Sequence, residues 1–171
     1  MATAALELLN KGKYEKIIWI RNPITLKDTP ELGSLPGDII SKLLPYLGPF
    51  IDATSEASVK TMLTKGSLEV QPLQALRGRN FENSILICSE AQNLTYDHLK
   101  LIVARVAEGS CLFINGDIRQ RDKKSFENSQ GLEKFIECLS GEELFGYVYL
   151  PKTERSATAR LADKLDKFEE E

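Results

Sequence analysis

Residues 84–93, SILICSEAQN, join a short aliphatic run directly to polar residues. A continuous apolar run of this length predicts a strand that is buried on both faces, as in parallel sheets. Similar runs occur at 17–20, 111–114 and 147–150, and a shorter one at 68–70. Amphipathic stretches separate these runs, so the chain is predicted to be an α/β protein with a mainly parallel sheet.

The stretches between the predicted strands carry helical signals. In two of them apolar residues recur at i, i+3, i+4 and i+7, the stripe of a helix that packs on a sheet. Those stripes are Leu99, Ile102, Val103 and Val106, and Leu132, Phe135, Ile136 and Leu139. Further helices are predicted at 2–11, from about Asp38 with breaks at Pro45 and Pro49, at 55–65 and at 156–168. Residues 22–38, with several prolines and glycines, are predicted to be a connector.

The composition is that of a folded domain. Hydrophobic residues make up 42% and charged residues 27% of the chain, which argues against a disordered protein. A length of 171 residues fits one domain spanning residues 1–171. The net charge of −3 excludes a wholly basic nucleic-acid coat protein, although it is compatible with a local basic patch. No apolar run reaches the ~20 residues that cross a membrane, so no membrane association is expected.

Cysteine and histidine are scarce and widely spaced. Cys88, Cys111 and Cys138 form no CxxC pair, and His98 is the single histidine, which disfavours a zinc site. The thiols are predicted to be buried in a reduced, cytoplasmic protein. Cys88 and Cys111, in adjacent predicted strands, are either two core thiols or a redox pair. His98 is predicted to lie on a helix surface, and Trp19 in the core.

Polar side chains follow the predicted strands, at the sheet edge where parallel α/β proteins bind ligands. A carboxylate there can hold Mg²⁺ or orient a water, a glutamine can position that water, and an arginine can neutralise a transferred phosphoryl group. Glu90, Gln120 and Arg155 fit these three roles. The alternative, that they are ordinary polar loop residues, stays open on spacing alone.

Basic residues cluster after the run at 111–114 and recur elsewhere in the chain. Such a surface can hold nucleic-acid phosphates. Its alternative is a solvated loop whose charge is balanced by Asp117 and Asp122. The predicted contacts with RNA or DNA are Arg21, Asn22, Arg77, Arg79, Arg119, Arg121, Lys123 and Lys124.

Several motifs together resemble the PhoH-like family of bacterial and phage proteins. They are ILICSEAQN at 85–93, RGRNFENS at 77–84, NGDIRQRD at 115–122, KIIWIRNP at 16–23, LGSLPGD at 32–38 and PKTERSATARLADKL at 151–165. The motifs keep the family's order and cover nearly the whole chain. The resemblance implies a RecA-like three-layer α/β/α domain, related to the first RecA-like domain of superfamily-one helicases, and an ATPase that uses ATP and Mg²⁺.

The resemblance also implies roles for individual residues. Glu90 would orient the attacking water, Gln120 would sense the terminal phosphate, and Arg155 would act as an arginine finger toward a neighbouring subunit. A ring-like homo-oligomer such as a hexamer, acting on RNA, is implied as well. The implied nucleotide-binding positions are Ser89, which stands at the metal position, Gln92 and Asp117.

Two departures from the family pattern qualify this expectation. The family opens with a glycine-rich phosphate loop, GxxGxGKT, and no such motif occurs in these 171 residues. Ser89 stands where the family has its metal-linked aspartate. A serine reaches Mg²⁺ through its hydroxyl or an ordered water, but it brings no negative charge. Because the strand before the loop would lie beside 111–114, a gap or unpaired strand edges are expected.

Three explanations remain open for the missing segment. A separate chain supplies the loop and strand, the sequence is an N-terminally truncated form, or the sheet has closed in a non-hydrolysing relative. The leading hypothesis is a nucleotide-binding protein that hydrolyses ATP only when a phosphate loop is supplied. The alternative is a degenerate relative that binds protein or nucleic acid, or that regulates a full-length relative.

Overall fold

Helices alternate with strands in the computed structural model, which describes residues 1–21, 39–118, 130–150 and 156. The strands are β1 (Lys16–Arg21), β2 (Leu68–Pro72), β3 (Ser84–Cys88) and β4 (Cys111–Ile114). The helices are α1 (Ala2–Asn10), α2 (Ile39–Leu43), α3 (Gly48–Ala53), α4 (Glu56–Lys65), α5 (Tyr96–Val103) and α6 (Gly131–Leu139). Short 3-10 turns lie at Leu44–Leu47, Leu73–Leu76 and Ala91–Asn93. The predicted connector 22–38 and all but Ser156 of the last predicted helix lie outside the described residues.

The four described strands run parallel in the order β2-β1-β3-β4. Ile17 of β1 pairs with Leu68 on one side and with Ile85 on the other. Ile85 in turn pairs with Cys111 of β4. This register aligns the carboxyl ends of the strands along one edge. The sheet and its flanking helices confirm the prediction of an α/β fold with a mainly parallel sheet.

Burial differs sharply between the two strands that carry the predicted site. All residues of β3, which has a described strand on each side, are buried. The residues of β4 are only half-buried, and β4 pairs with β3 alone among the described strands. The described sheet therefore ends at an apolar strand whose outer edge no described strand covers.

The core on one face of the sheet joins β1 to helices from the segment around Pro45 and Pro49. Trp19 meets Phe50 of α3 edge-to-face, with ring centroids 5.2 Å apart. Leu47, in the 3-10 turn between the two prolines, is fully buried in the same cluster. The prolines break the helical segment as predicted, because each removes a helical hydrogen-bond donor. The prediction that Trp19 is a core residue is confirmed.

Side-chain caps begin helices α4 and α5. At α4, Ser55 Oγ accepts a hydrogen bond from the N–H of Ser58 at 3.2 Å. At α5, Thr95 Oγ1 accepts from the N–H of His98 at 3.3 Å, while the Thr95 N–H donates to His98 Nδ1 at 3.4 Å. His98 is thus half of a reciprocal cap, a role that its predicted surface position did not suggest.

The predicted helix through Val106 ends earlier than its apolar stripe. α5 stops at Val103, whose side chain is 40% exposed rather than inward-facing. Val106 instead forms a parallel bridge with Phe81. The Phe81 N–H donates to the carbonyl of Arg105, and the Ala107 N–H donates to the carbonyl of Phe81. These backbone bonds outside a helix override the helical periodicity of the sequence.

The strand predicted at 147–150 is wrong. The chain divides into two compact units, residues 1–137 and 138–171, and this segment lies in the second. It forms no strand with any described residue, and its four side chains are 54–79% exposed. A short apolar run becomes a strand only when a neighbouring strand supplies its backbone hydrogen bonds.

The cysteines differ in burial, and the prediction that all three are buried is wrong for Cys138. Cys138 is exposed, Cys111 is half-buried and Cys88 is buried. Burial raises the pKa of the Cys88 thiol to about 12. Cys88 pairs with Ile114 and Cys111 with Ile85, so the two thiols lie three residues apart along adjacent strands, about 10 Å. That separation is too large for a disulfide, which favours two independent thiols.

None of the helices that the structure describes is both long and apolar enough to span a bilayer.

We expect the three thiols to react in the order of their exposure. In the folded protein, a thiol reagent at neutral pH should label Cys138 first. Cys88 should stay unlabelled until the chain unfolds, because its thiol is buried and protonated. Mass spectrometry of peptides after timed labelling measures the order, and Cys138→Ser is the control that should remove the fast phase. Rapid native labelling of Cys88 would contradict the described burial of β3.

Candidate functional site

The turn after β3 places Glu90 at the carboxyl edge of the sheet. Its backbone is left-handed, with φ 55° and ψ 41°, a conformation that costs a non-glycine residue about 1 kcal/mol or more. The Glu90 side chain is exposed, whereas the next three residues, Ala91–Asn93, are buried. The turn therefore exposes the Glu90 carboxylate to solvent, while the three residues that follow it lie in the interior.

Backbone hydrogen bonds lock the end of β3 to the end of β4. The N–H of Asn115 donates to the carbonyl of Cys88 at 3.1 Å. The N–H of Ala91 donates to the carbonyl of Asn115 at 3.0 Å. Asn115 thus binds the residue that ends β3 and the residue that begins the turn, and the two strand ends form one rigid platform.

Gln92 joins the two strand ends through its side chain. Its Nε2 donates to Glu90 Oε2 at 2.8 Å, and its Oε1 accepts from the N–H of Asp117 at 3.1 Å. Gln92 is only 4% exposed, so both bonds lie in a largely desolvated position, where hydrogen bonds matter most. The Gln92 carboxamide therefore binds both the Glu90 carboxylate after β3 and the Asp117 backbone after β4.

Gly116 lies where no side chain fits. A Cβ atom at this position would stand 2.9 Å from both the backbone nitrogen and the Oε1 of Gln92, and 3.0 Å from Leu132 Cδ2. Helix α6 approaches as closely, since a Cβ on Gly131 would be 2.6 Å from the carbonyl oxygen of Leu94. Two glycines thus let the loop after β4 and the start of α6 press against the turn after β3.

The structure brings together four of the predicted site residues. Ser89 and Glu90 follow β3 directly, Gln92 lies in the next turn, and Asp117 follows β4. Arg21 ends β1 on the same edge, where its guanidinium donates to the Tyr46 hydroxyl at 2.9 Å and stacks on that ring. Predicted residues outside the described part are Asn22, Arg119, Gln120, Arg121, Lys123, Lys124 and Arg155.

Arg79 does not join Arg21. It lies before the amino end of β3, where its Nη2 is 3.3 Å from Glu69 Oε2 and its guanidinium stacks on Phe81. Burial alone would raise the pKa of Glu69, but hydrogen bonds from Lys16, Gln71 and Arg79 outweigh it and hold that pKa below its usual value. In a parallel sheet the amino ends lie opposite the carboxyl ends. Arg79 therefore belongs to the opposite edge of the sheet from Glu90, and Arg77, two residues before it, is exposed.

The donor set at the carboxyl edge is oxygen-rich. Glu90 and Asp117 bring carboxylates and Ser89 a hydroxyl, ligands that suit Mg²⁺ better than zinc. Within the described ranges no three His, Cys, Asp or Glu side chains cluster as a metal site by themselves. Any Mg²⁺ at this edge would therefore need phosphate oxygens and water to complete its shell.

Sequence reasoning missed the two residues that build the platform. Neither Asn115 nor Gly116 was among the predicted site residues, yet one bridges the strand ends and the other makes room for Gln92. The signal was present in the NGD triplet directly after an apolar strand, because a glycine there often marks a close backbone approach.

We expect Gly116→Ala to lower the free energy of unfolding by about 1–3 kcal/mol, because the new methyl group meets a backbone atom that cannot rotate away. Urea denaturation followed by circular dichroism measures the change. Gly48→Ala is the matched control, since its Cβ would meet nothing within 4 Å and its backbone is helical. Equal stabilities of the two variants would contradict the tight contact between Gly116 and Gln92.

Comparison with known proteins finds relatives across almost the whole chain. The family described as PhoH-like protein matches residues 1–165. Protein PhoH2 of Mycolicibacterium smegmatis is 31% identical over 166 residues, covering 95% of this chain and 38% of the relative. The PhoH-like protein of Synechocystis sp. is 33% identical over 153 residues, covering 87% of this chain and 46% of the relative. Protein PhoH of Escherichia coli K12 is 34% identical over 157 residues, covering 88% of this chain and 44% of the relative.

The chain spans less than half the length of these three relatives, so the similarity concerns one portion of each. Within that portion, the parallel α/β sheet agrees with the RecA-like fold that the motifs implied. The family match over residues 1–165 shows that this chain belongs to the PhoH-like protein family.

Proposed function

We propose that this chain carries the water-orienting half of a PhoH-like ATP site and hydrolyses ATP only when a glycine-rich phosphate loop is supplied to it. The observation that carries the proposal is the exposed Glu90 carboxylate, held on a strained turn at the carboxyl end of β3. Membership of the PhoH-like family supports the assignment of a nucleotide as ligand. A carboxylate fixed at this edge is suited to orient a water for in-line attack on a phosphoryl group.

The residues at this edge fit ATP with Mg²⁺. Ser89 and Asp117 would hold the nucleotide and its ion, Ser89 through its hydroxyl or an ordered water. The bound ion supplies charge neutralisation on the phosphates. Glu90 accepts hydrogen bonds from the attacking water and sets its direction. Gln120 and Arg155 are proposed as phosphate sensor and arginine finger from the family resemblance alone, because both lie outside the described residues.

The outer edge of β4, which no described strand covers, supports completion of the sheet by a further strand. β4 is apolar but half-buried, and within the described sheet it has a neighbour on one side only. A further parallel strand would pair the backbone groups along that edge and bury more of the β4 side chains. A phosphate loop at the carboxyl end of that strand would then stand on the same edge as Asp117.

A ring-like homo-oligomer and action on single-stranded RNA are further parts of this proposal. Their support is the family resemblance and the basic residues that follow β4 in the sequence. Arg21 lies at the carboxyl edge, although its guanidinium already contacts Tyr46. Arg77 and Arg79 would belong to a separate surface at the amino edge.

A second candidate function is a non-hydrolysing module that binds protein or nucleic acid, or regulates a full-length relative. The observation in its favour is Ser89, which stands where the family resemblance places a charged metal ligand. A serine brings no negative charge to Mg²⁺, and loss of selection for hydrolysis would leave such a change.

The proposal predicts that hydrolysis depends on Glu90 once a loop is present. The test is a fusion in which a strand and a GxxGxGKT loop precede Met1. Glu90→Gln should lower its kcat for ATP by about 100-fold or more while the ATP affinity stays nearly constant, because the substitution removes the water-orienting carboxylate. Steady-state phosphate release and equilibrium nucleotide binding measure the two quantities.

Glu108→Gln is the matched control for this experiment. Glu108 is exposed and precedes β4, at the opposite edge of the sheet from Glu90, so its substitution should leave kcat unchanged. Equal hydrolysis by the Glu90 variant and the parent fusion would contradict the proposal. A folded fusion that binds ATP without hydrolysing it would favour the non-hydrolysing module instead.

A further inference from the structure

We propose that Gln92 is the positioning residue for Glu90, and that it sets the carboxylate by reference to the backbone that follows β4. The inference rests on the proposed function only for the role of Glu90 in orienting water. The contacts between Gln92, Glu90 and Asp117 are features of the folded chain itself. Sequence reasoning had placed Gln92 among direct nucleotide contacts, and the structure assigns it to a bridge within the protein.

The direction of both hydrogen bonds is set by chemistry. The backbone N–H of Asp117 can only donate, so the atom that it meets must be the carboxamide oxygen of Gln92. The carboxamide nitrogen then faces Glu90, whose ionised carboxylate can only accept. The Asp117 amide thereby fixes which end of Gln92 faces Glu90. A flipped carboxamide would lose both bonds.

Burial makes this bridge rigid. Gln92 is 4% exposed, and its carboxamide is satisfied at both ends within the chain. A bond to a charged acceptor in such a place is stronger than one at a wet surface. Glu90, by contrast, is exposed, and an exposed glutamate without such a partner exchanges among many rotamers. Gln92 therefore restricts the Glu90 carboxylate from its buried side.

The neighbouring contacts serve the same bridge. Gly116 gives the backbone after β4 the room to approach Gln92, since any Cβ there would press on the Gln92 Oε1. The hydrogen bond from Ala91 to Asn115 holds the two loops at a fixed separation. A displacement of the loop after β4 would therefore be passed to Glu90 through the Gln92 side chain as well as through the backbone bond at Ala91.

The test swaps the residue types at positions 90 and 92 of the 171-residue chain, and it needs no nucleotide. Gln92→Glu keeps an acceptor for the Asp117 N–H but sets a second carboxylate against Glu90. We expect it to speed hydrogen exchange of the Asp117 amide at least tenfold and to lower the melting temperature by about 5 °C. The double variant Glu90→Gln with Gln92→Glu restores a donor–acceptor pair in the opposite sense. It should return the exchange rate of the Asp117 amide to within threefold of the parent value. The melting temperature should return to within about 2 °C of the parent value.

Two further variants keep the test decisive. Gln92→Met retains the length of the side chain but removes both bonds, and it should speed exchange at Asp117 whether residue 90 is Glu or Gln. Gln71→Glu is the matched control, because Gln71 also donates to a glutamate two residues away, Glu69, at 3.0 Å. Lys16 and Arg79 offset the new charge there, and exchange at Asp117 should not change.

The inference is overturned if the effects of Gln92→Glu are the same with glutamine at position 90 as with glutamate, or if Gln92→Met leaves the Asp117 amide as protected as before. Both readouts come from amide exchange and thermal unfolding, so they do not depend on ATP. Failure of the proposed function would appear separately, as hydrolysis that ignores Glu90 in a protein whose Gln92 bridge is intact.

Discussion

The pairing of β3 with β4 is the constraint on which the site depends. It aligns Cys88 with Ile114, and the chain beyond each strand then continues the contact through Asn115. Without that register Gln92 could not reach both Glu90 and the backbone of Asp117. A slip of one residue would turn every side chain of β4 to the other face of the sheet and separate the two loops.

The parallel topology sorts the charged residues by edge. Ser89, Glu90 and Asp117 share the carboxyl edge with Arg21, while Arg79 pairs with Glu69 toward the amino edge. Under the proposed function, this division assigns nucleotide binding to the carboxyl edge of the sheet. It also places the half-buried β4, whose outer edge no described strand covers, directly beside the carboxylates. A site of this composition offers oxygen ligands, and under the proposed function a further segment would hold the phosphates.

Much of this arrangement could be predicted from the sequence, because short apolar runs followed by polar residues specify parallel strands and the edge where they end. The strand at 84–88 and the position of Glu90 at its carboxyl end belong to this part. The Gln92 bridge could not be predicted, since it depends on a backbone N–H from another strand. The failures have one cause in common: the helix expected to reach Val106 and the strand expected at 147–150 both depend on partners that periodicity does not reveal.

The affinity of the chain for ATP tests the central claim most directly. Isothermal titration calorimetry with Mg²⁺ would compare the 171-residue chain with the same chain preceded by a strand and a GxxGxGKT loop. If the carboxyl edge of β3 and β4 is half of a site, the chain alone shows no saturation up to about 1 mM ATP, and the completed chain binds in the micromolar range. Micromolar binding by the chain alone would contradict the account, because its own residues would then suffice to hold the phosphates.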